Sequence, residues 1–273
     1  MAIKNIALSA CIFFTCLGIG FSQEKDDTSI QDAAANSTNP LAFVTKLQFQ
    51  PNYTFLDGGG DQLSLISRII QPTKSIGLPF IESEDPSRIY TIYRLEVPII
   101  SQTVTNEKSS LNATGISDLI LLDAIVFKQD WGLLGVGPAM IFPIASPQVF
   151  GSGKLSAGVM AVLLYTKIKG LQIGALSQQF FSVAGPSDRQ DVNFMFFQPI
   201  VNKILGQGFF IQFNPIMKFD WENNEYTVPL SLAFGKAFAK NLSMNFGLEY
   251  VVSGPQSGNF TVRLNINAMF AMQ

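Results

Sequence analysis

The stretch DVNFMFFQPIVNKILGQGFFIQFNPIMKFDWENNEYTVPLSLAFGKAF, residues 191–238, decides the fold. It holds three segments of about ten residues or more, the length at which a tilted β-strand crosses a bilayer. A tight turn, LGQG at 205–208, joins the first two, and a polar corner, ENNE at 222–225, joins the last two. In the middle segment Phe209, Ile211, Phe213, Met217 and Phe219 share one parity, and Gln212, Asn214 and Lys218 share the other. Successive side chains of a strand point to opposite faces, so this segment has one oily face and one wet face. A face so dense in Phe suits lipid. The unit predicts a repeat that continues until a barrel closes.

Working outward, the same alternation recurs. In residues 42–55, Phe43, Leu47, Phe49, Tyr53 and Phe55 oppose Lys46, Gln48, Gln50, Asn52 and Thr54. Residues 88–100 set Ile89, Tyr93, Leu95, Val97 and Ile99 against Arg94 and Glu96. Towards the C-terminus Leu242, Met244, Phe246, Leu248, Tyr250 and Val252 oppose Asn245 and Glu249, and Phe260, Val262, Leu264, Ile266 and Phe270 oppose Arg263, Asn265 and Asn267. Further segments fall at 63–74, 116–127, 131–144, 154–166 and 171–183. The segment at 116–127 is apolar on both faces. Its Asp118 and Asp123 have opposite parity, so both cannot point inward. The count is about twelve, an even number as bacterial barrels require.

The connections alternate in length. KQD, KIKG, LGQG and AKN are short; DGGGD, TNEKSSLNAT, SPQVFGSG, GPSDRQD, ENNE and SGPQSG are more polar and mostly longer. Short periplasmic turns on one rim and longer outer loops on the other are the pattern of outer-membrane barrels. Residues 72–87 fit badly, being too long for a short turn. Prolines also strain the scheme: Pro51, Pro98, Pro138, Pro199, Pro215 and Pro229 lie within or near strands, and a closed barrel has no edge to absorb a missing donor. They are expected at strand ends or bulges.

Helical crossing is excluded. The longest uncharged run, 131–153, carries Pro138, Pro143 and Pro147 and five glycines. An interior proline costs a helix about 3 kcal/mol and a glycine about 1 kcal/mol. A closed barrel is the remaining solution, because lipid satisfies no backbone hydrogen bond.

Composition agrees. Of 273 residues 47% are hydrophobic and only 14% charged, where a soluble domain carries about 25% charge. Net charge is −2 with no basic block, which argues against nucleic acid as a partner. The sequence contains no histidine, so the commonest general base and metal ligand is missing; no enzyme, cofactor or metal centre is expected. Lys4, an apolar run at 6–21 and small residues at Gly20 and Ser22 read as a signal peptide over 1–22. LSAC at 8–11 matches a lipoprotein box, but the apolar core before it is too short. Both cysteines, Cys11 and Cys16, would leave with that peptide. Residues 23–39 read as a flexible leader, and 40–273 as the barrel.

A charge facing lipid at the midplane costs about 2–4 kcal/mol. Lys46, Arg94, Glu96, Lys218, Glu249 and Arg263 are therefore assigned to the lumen, as a selective constriction or as a paired network that plugs a narrow barrel. Arg68 belongs with them by the same reasoning. Trp131, Trp221 and Tyr226 are assigned to an aromatic girdle. Asp188, Arg189 and Asp191 read as a solvated loop with a local ion pair. Asp220, Glu222 and Glu225 match no defined calcium loop.

Several stretches resemble a family of bacterial outer-membrane proteins: GPSDRQDVNFMFFQPIVN, DWENNEYTVPLSLAFGKAF, the closing FTVRLNINAMF, the early NPLAFVTKLQFQPNYTF and the central WGLLGVGPAMIFP with GSGKLSAG. The family is that of the MetA-pathway of phenol degradation, often labelled a transporter and sometimes mislabelled neuromedin U. The resemblance implies an all-β, antiparallel up-and-down barrel in the bacterial outer membrane that passes small, hydrophobic or aromatic solutes. Its partners would be outer-membrane lipid, a small-molecule solute and the barrel-assembly machinery. Such barrels end on an aromatic, whereas here Phe270 is followed by AMQ. A structural or plugged barrel without transport is the alternative.

Overall fold

The computed structural model describes residues 27–75, 85, 87–106 and 109–271. The expected signal peptide, with both cysteines, lies outside the described residues, as does most of the connection at 72–87.

The described chain runs through one α-helix, α1 (Asp27–Thr38), a short 3-10 turn (Gln148–Phe150) and fourteen strands: β1 (Val44–Phe55), β2 (Gly60–Thr73), β3 (Ile89–Asn106), β4 (Ser109–Ile116), β5 (Leu119–Gln129), β6 (Gly132–Phe142), β7 (Leu155–Tyr165), β8 (Leu171–Ala184), β9 (Asn193–Gly206), β10 (Phe209–Phe213), β11 (Met217–Asp220), β12 (Glu225–Ala239), β13 (Leu242–Ser253) and β14 (Phe260–Ala271). These make twelve staves. β4 and β5 both pair with β3, end to end, and β10 and β11 both lie between β9 and β12. Every pairing is antiparallel. The barrel closes where β1 meets β14, from Val44↔Ala271 to Phe55↔Phe260.

The prolines show how a sheet without edges tolerates missing donors. At Pro51 the β1–β14 ladder skips from Phe49↔Ile266 to Asn52↔Arg263. At Pro138 the β5–β6 ladder skips from Leu122↔Ala139 to Ile125↔Val136. Pro98 faces the gap between β4 and β5, and its carbonyl accepts from Ser117 N at 2.9 Å. Pro199, Pro215 and Pro229 mark a single larger flaw. Pro215 lies in the break between β10 and β11. Pro199 of β9 sits beside the same break, and Pro229 of β12 sits at a register shift against β13. The prolines concentrate the lost hydrogen bonds at a few points of the wall.

One expectation about loops is corrected. Residues 105–114 were expected as a polar loop, yet β3 and β4 continue as a paired hairpin from Ile99↔Ile116 to Asn106↔Ser109. Thr and Ser are sparse in apolar contrast but pair well in an antiparallel ladder. Residues 27–38, assigned to a flexible leader, form α1 instead.

Thirty large apolar side chains stand exposed among the described residues, including Phe49, Leu163, Ile211, Leu232, Phe234, Phe246, Leu248 and Leu264. Soluble proteins rarely expose apolar patches beyond a few hundred Å². The exposed apolar side chains on the strands, Ile216 at the β10–β11 break excepted, form the outer wall, and its solvent is lipid.

The interior divides in two. Towards β3 through β9 an apolar cluster packs inside the barrel: Ile92, Leu122, Val126, Val162, Leu164, Leu176, Phe180 and Ile200, with Leu41 from the segment after α1. This explains why residues 116–127 are apolar on both faces. Leu122, Ala124 and Val126 point in, so Asp123 shares the outward parity, while Asp118 is buried. Phe194 and Phe196 also pack against this interior cluster, so part of the Phe-rich stretch faces inward rather than to lipid. The rest of the interior is mainly polar, with Arg94 and Glu96 of β3 and Gln172 of β8 joining the polar residues of β1, β2 and β9 to β14.

Candidate functional site: the luminal cavity

Helix α1 closes one end of the lumen. It follows the rule that only small residues let a helix approach a crowded wall. Ala33 and Ala34 are buried against Phe210, Ala237 and Met269, with Ile30 and Ile204 beside them. Gly235 of β12 makes room for the Phe210 ring; a Cβ there would sit 2.4 Å from it. Polar contacts then lock the helix end. Gln172 Nε2 donates to Ala35 O at 2.9 Å, and Asn202 Nδ2 donates to Thr38 O at 3.1 Å. Lys46 Nζ donates to Asn36 O at 3.2 Å and Asn39 O at 2.6 Å. Tyr90 OH donates to Leu41 O at 2.7 Å. The bonds to Ala35, Asn36 and Thr38 satisfy carbonyls of the last helical turn, and those to Asn39 and Leu41 fix the segment that follows it.

Above this plug lies a cavity of about 160 Å³. Its floor is Ser37, Thr38, Asn39 and Pro40. Its wall comes from nine staves. β1 gives Gln48 and Gln50, β13 gives Asn245, and β10 gives Gln212. Arg68 and Arg94 reach in from β2 and β3, and Arg263 from β14. Leu176, Ile200 and Ile216 complete the opposite side.

The charges are paired with care. Glu96 accepts from Arg68 Nε at 2.5 Å and from Arg94 Nη2 at 2.6 Å. Arg68 Nη1 also donates to Gln50 Oε1 at 2.8 Å. The register brings these together, since Arg68 stands opposite both Gln48 on β1 and Glu96 on β3. Glu249 accepts from Arg263 Nη2 at 2.9 Å across β13 and β14. Amides extend the network: Asn245 Nδ2 donates to Gln212 Oε1 at 3.0 Å, and Gln48 Nε2 donates to Asn267 Oδ1 at 2.6 Å.

Of the six charges assigned to the lumen from sequence, Lys46, Arg94 and Arg263 line this cavity directly, and Glu96 and Glu249 hold the two arginines from behind. Lys218 does not join them. It lies towards the other end of the barrel, over the Phe194 ring at 4.8 Å, with its ammonium 2.9 Å from Asp220. Trp221 and Tyr226 are both exposed at that end, and Trp221 stacks on Phe219 with ring centroids 5.8 Å apart. Trp131 is half-buried in the turn between β5 and β6, at the opposite rim. Among the described residues no group of three acidic or cysteine side chains could hold a metal ion.

The loop at 185–192 is more than a solvated loop. Arg189 donates to the carbonyls of Ser152 at 3.0 Å and Gly151 at 2.6 Å. Lys154 pairs with Asp191 at 3.2 Å. That hydrogen bond from Lys154 holds the Asp191 carboxyl below the usual aspartate range. Asp118, from the stave made by β4 and β5, accepts from Ser152 N at 2.8 Å and so ties the neighbouring loop to the wall.

Sequence reading missed the plug. The cue was DAAANSTNP at 32–40: a run of alanines for close approach, then Ser, Thr and Asn able to bond a helix end. Gln172 and Asn202 were also missed, because polar residues inside a strand show a parity but not a partner.

The sequence matches no protein-family model and no curated protein. The fold does have solved counterparts. It is similar to the COG4313 outer membrane channel from Pseudomonas putida F1, with a TM-score of 0.64, 11% identity, and coverage of 85% of this chain and 99% of that one. It is similar also to the NanC porin, with a TM-score of 0.50, 11% identity, and coverage of 81% and 98%. At such identities the likeness is one of fold. Closed antiparallel staves, a lipid-facing apolar wall and this shared architecture together make the chain an outer-membrane β-barrel.

Proposed function

We propose that the protein is a passive channel for small solutes, held shut in this state by α1. One observation carries the reading. The lumen keeps a polar, charge-lined cavity of about 160 Å³ instead of filling with side chains, and the plug that floors it is held largely by side-chain hydrogen bonds at one helix end. A barrel built only for structure gains nothing from burying Arg68, Arg94 and Arg263 around open space, since such charges are costly to desolvate. In this reading Lys46, Arg94, Glu96, Glu249 and Arg263 set which solutes pass. Lys218 guards the outer mouth, and Trp131, Trp221 and Tyr226 anchor the two rims in the bilayer interfaces. Residues 1–22 direct export, and the barrel-assembly machinery reads the last strand through Phe270. The sequence resemblance to the phenol-degradation barrels supports membership of that family and a hydrophobic or aromatic solute.

The plug favours a second reading, a structural barrel that never opens. Liposome swelling with a neutral pentose separates the two. The channel reading expects slow swelling with the native chain and faster swelling with Lys46→Met, which removes both bonds to the plug backbone. A folded Lys46→Met barrel that gives no swelling at all favours the structural barrel.

A further inference from the structure

The wall of the luminal cavity is two-faced, and the topology fixes which faces oppose. In a ring of twelve staves, β8 stands across from β1, β9 across from β2, and the β10–β11 stave across from β3. Leu176, Ile200 and Ile216 belong to that first group of staves and give the cavity its apolar surface there, beside the amides of Gln198, Gln212 and Asn214. Arg68 and Arg94, on β2 and β3, face them, with Arg263 on the adjoining side.

The cationic side is not neutralised. Three guanidinium groups meet two carboxylates, Glu96 and Glu249. Moreover, Arg94 Nε and Arg263 Nε are buried atoms with no hydrogen-bond partner among the described residues. Buried donors are rarely left so, and each one marks a place where an acceptor belongs. The unpartnered oxygens of Asn214 and Asn265 lie in the same cavity and call for a donor, water or a solute hydroxyl. As to size, an apolar cavity of about 150 Å³ holds one benzene ring.

We propose that this cavity binds a small monocarboxylate with an apolar body of about one aromatic ring. The carboxylate meets the guanidinium side, and the ring lies against Leu176, Ile200 and Ile216. A charge-assisted bond from a buried guanidinium is about twice as strong as a neutral one, which gives the site its preference for anion over neutral isostere. The inference rests on the channel reading, since it names the solute that the lumen is lined to pass.

Benzoate and benzamide differ little except in charge, so calorimetry of the detergent-folded full chain with each tests the preference. Benzoate is expected to bind at least about tenfold tighter than benzamide, about 1.4 kcal/mol. Arg94→Gln should reduce that ratio to within about threefold. Arg263→Gln combined with Glu249→Gln, which leaves the net charge unchanged and removes the second unpaired donor, should reduce it as well. Heat-shifted migration on gels confirms that each variant is folded. Equal binding of the two probes, no binding of benzoate, or a ratio that survives in both folded variants would overturn the proposal. Swelling with a neutral pentose in the same preparations tells the two readings apart. Swelling without benzoate preference sinks only the anion site. Benzoate preference without swelling, native or Lys46→Met, sinks the channel and leaves a binding barrel.

Discussion

Glu96 is the most consequential charge in the barrel, and Glu96→Gln is the change that tests the luminal network. The carboxylate holds Arg68 at 2.5 Å and Arg94 at 2.6 Å, and the three side chains keep only 10%, 9% and 23% of their surface exposed. With charge centres about 4 Å apart and an effective dielectric near 20, each pair attracts by about 4 kcal/mol, much of it offset by desolvation. Removing one partner of a buried pair costs about 3–5 kcal/mol, because the remaining charge stays buried without compensation. The glutamine oxygen still accepts one hydrogen bond, and the cavity beside Arg94 admits water, so the low end applies. We expect a loss of about 3 kcal/mol, more than a hundredfold in the folded-to-unfolded ratio. Urea unfolding in detergent micelles, read as the fraction of heat-modifiable folded band, should show the midpoint falling by about 1 M for a slope near 3 kcal/mol/M. The double change Arg68→Gln with Glu96→Gln leaves one uncompensated guanidinium instead of two and should recover about half of the loss. A shift of less than about 0.5 kcal/mol for Glu96→Gln would refute the reasoning and mean that the cavity solvates these arginines as well as bulk water does.

Gly235→Val should destabilise the barrel by about 1–3 kcal/mol, because the new Cβ would meet the Phe210 ring at 2.4 Å and the Asn245 Cβ at 2.7 Å; the same unfolding assay reads it. Leu230→Lys places a charge on the exposed outer wall of β12 and should cost up to about 2–4 kcal/mol in lipid, while the inward neighbour Ser231→Lys should not show that lipid penalty; refolding yield into vesicles separates the two. At the outer loops, the lowered Asp191 carboxyl makes the Lys154–Asp191 link pH-dependent. A group whose folded value is depressed stabilises above its unfolded value and loses that contribution as pH falls through the folded one. A spin label at Ser187 should therefore stay immobile at neutral pH and gain mobility only below the ordinary aspartate range, and Asp191→Asn should abolish the transition.

Much of the fold was legible because a half-buried strand writes its facing into the sequence with a period of two. Phe246 and Leu248 against Asn245, or Leu264 against Arg263, needed no tertiary knowledge to be sorted outward and inward. Residues 105–114 misled because polar Ser and Thr pair as a hairpin without any apolar contrast to announce it. The prolines were legible as a problem and not as its solution: only the register shows that Pro199, Pro215 and Pro229 meet at one break.

By itself the sequence determined the membrane barrel, its stave count, its outer wall and the short and long rims, since each follows from local alternation and turn chemistry. The tertiary structure alone decided what the lumen holds. That Arg68 and Arg94 share Glu96, that Leu122 and Val162 join one apolar cluster inside the barrel, and that Ala33 and Ala34 enter the barrel against Phe210 all depend on which distant residues closure brings together. Parity assigns a side chain to a face; only the closed ring assigns it a neighbour.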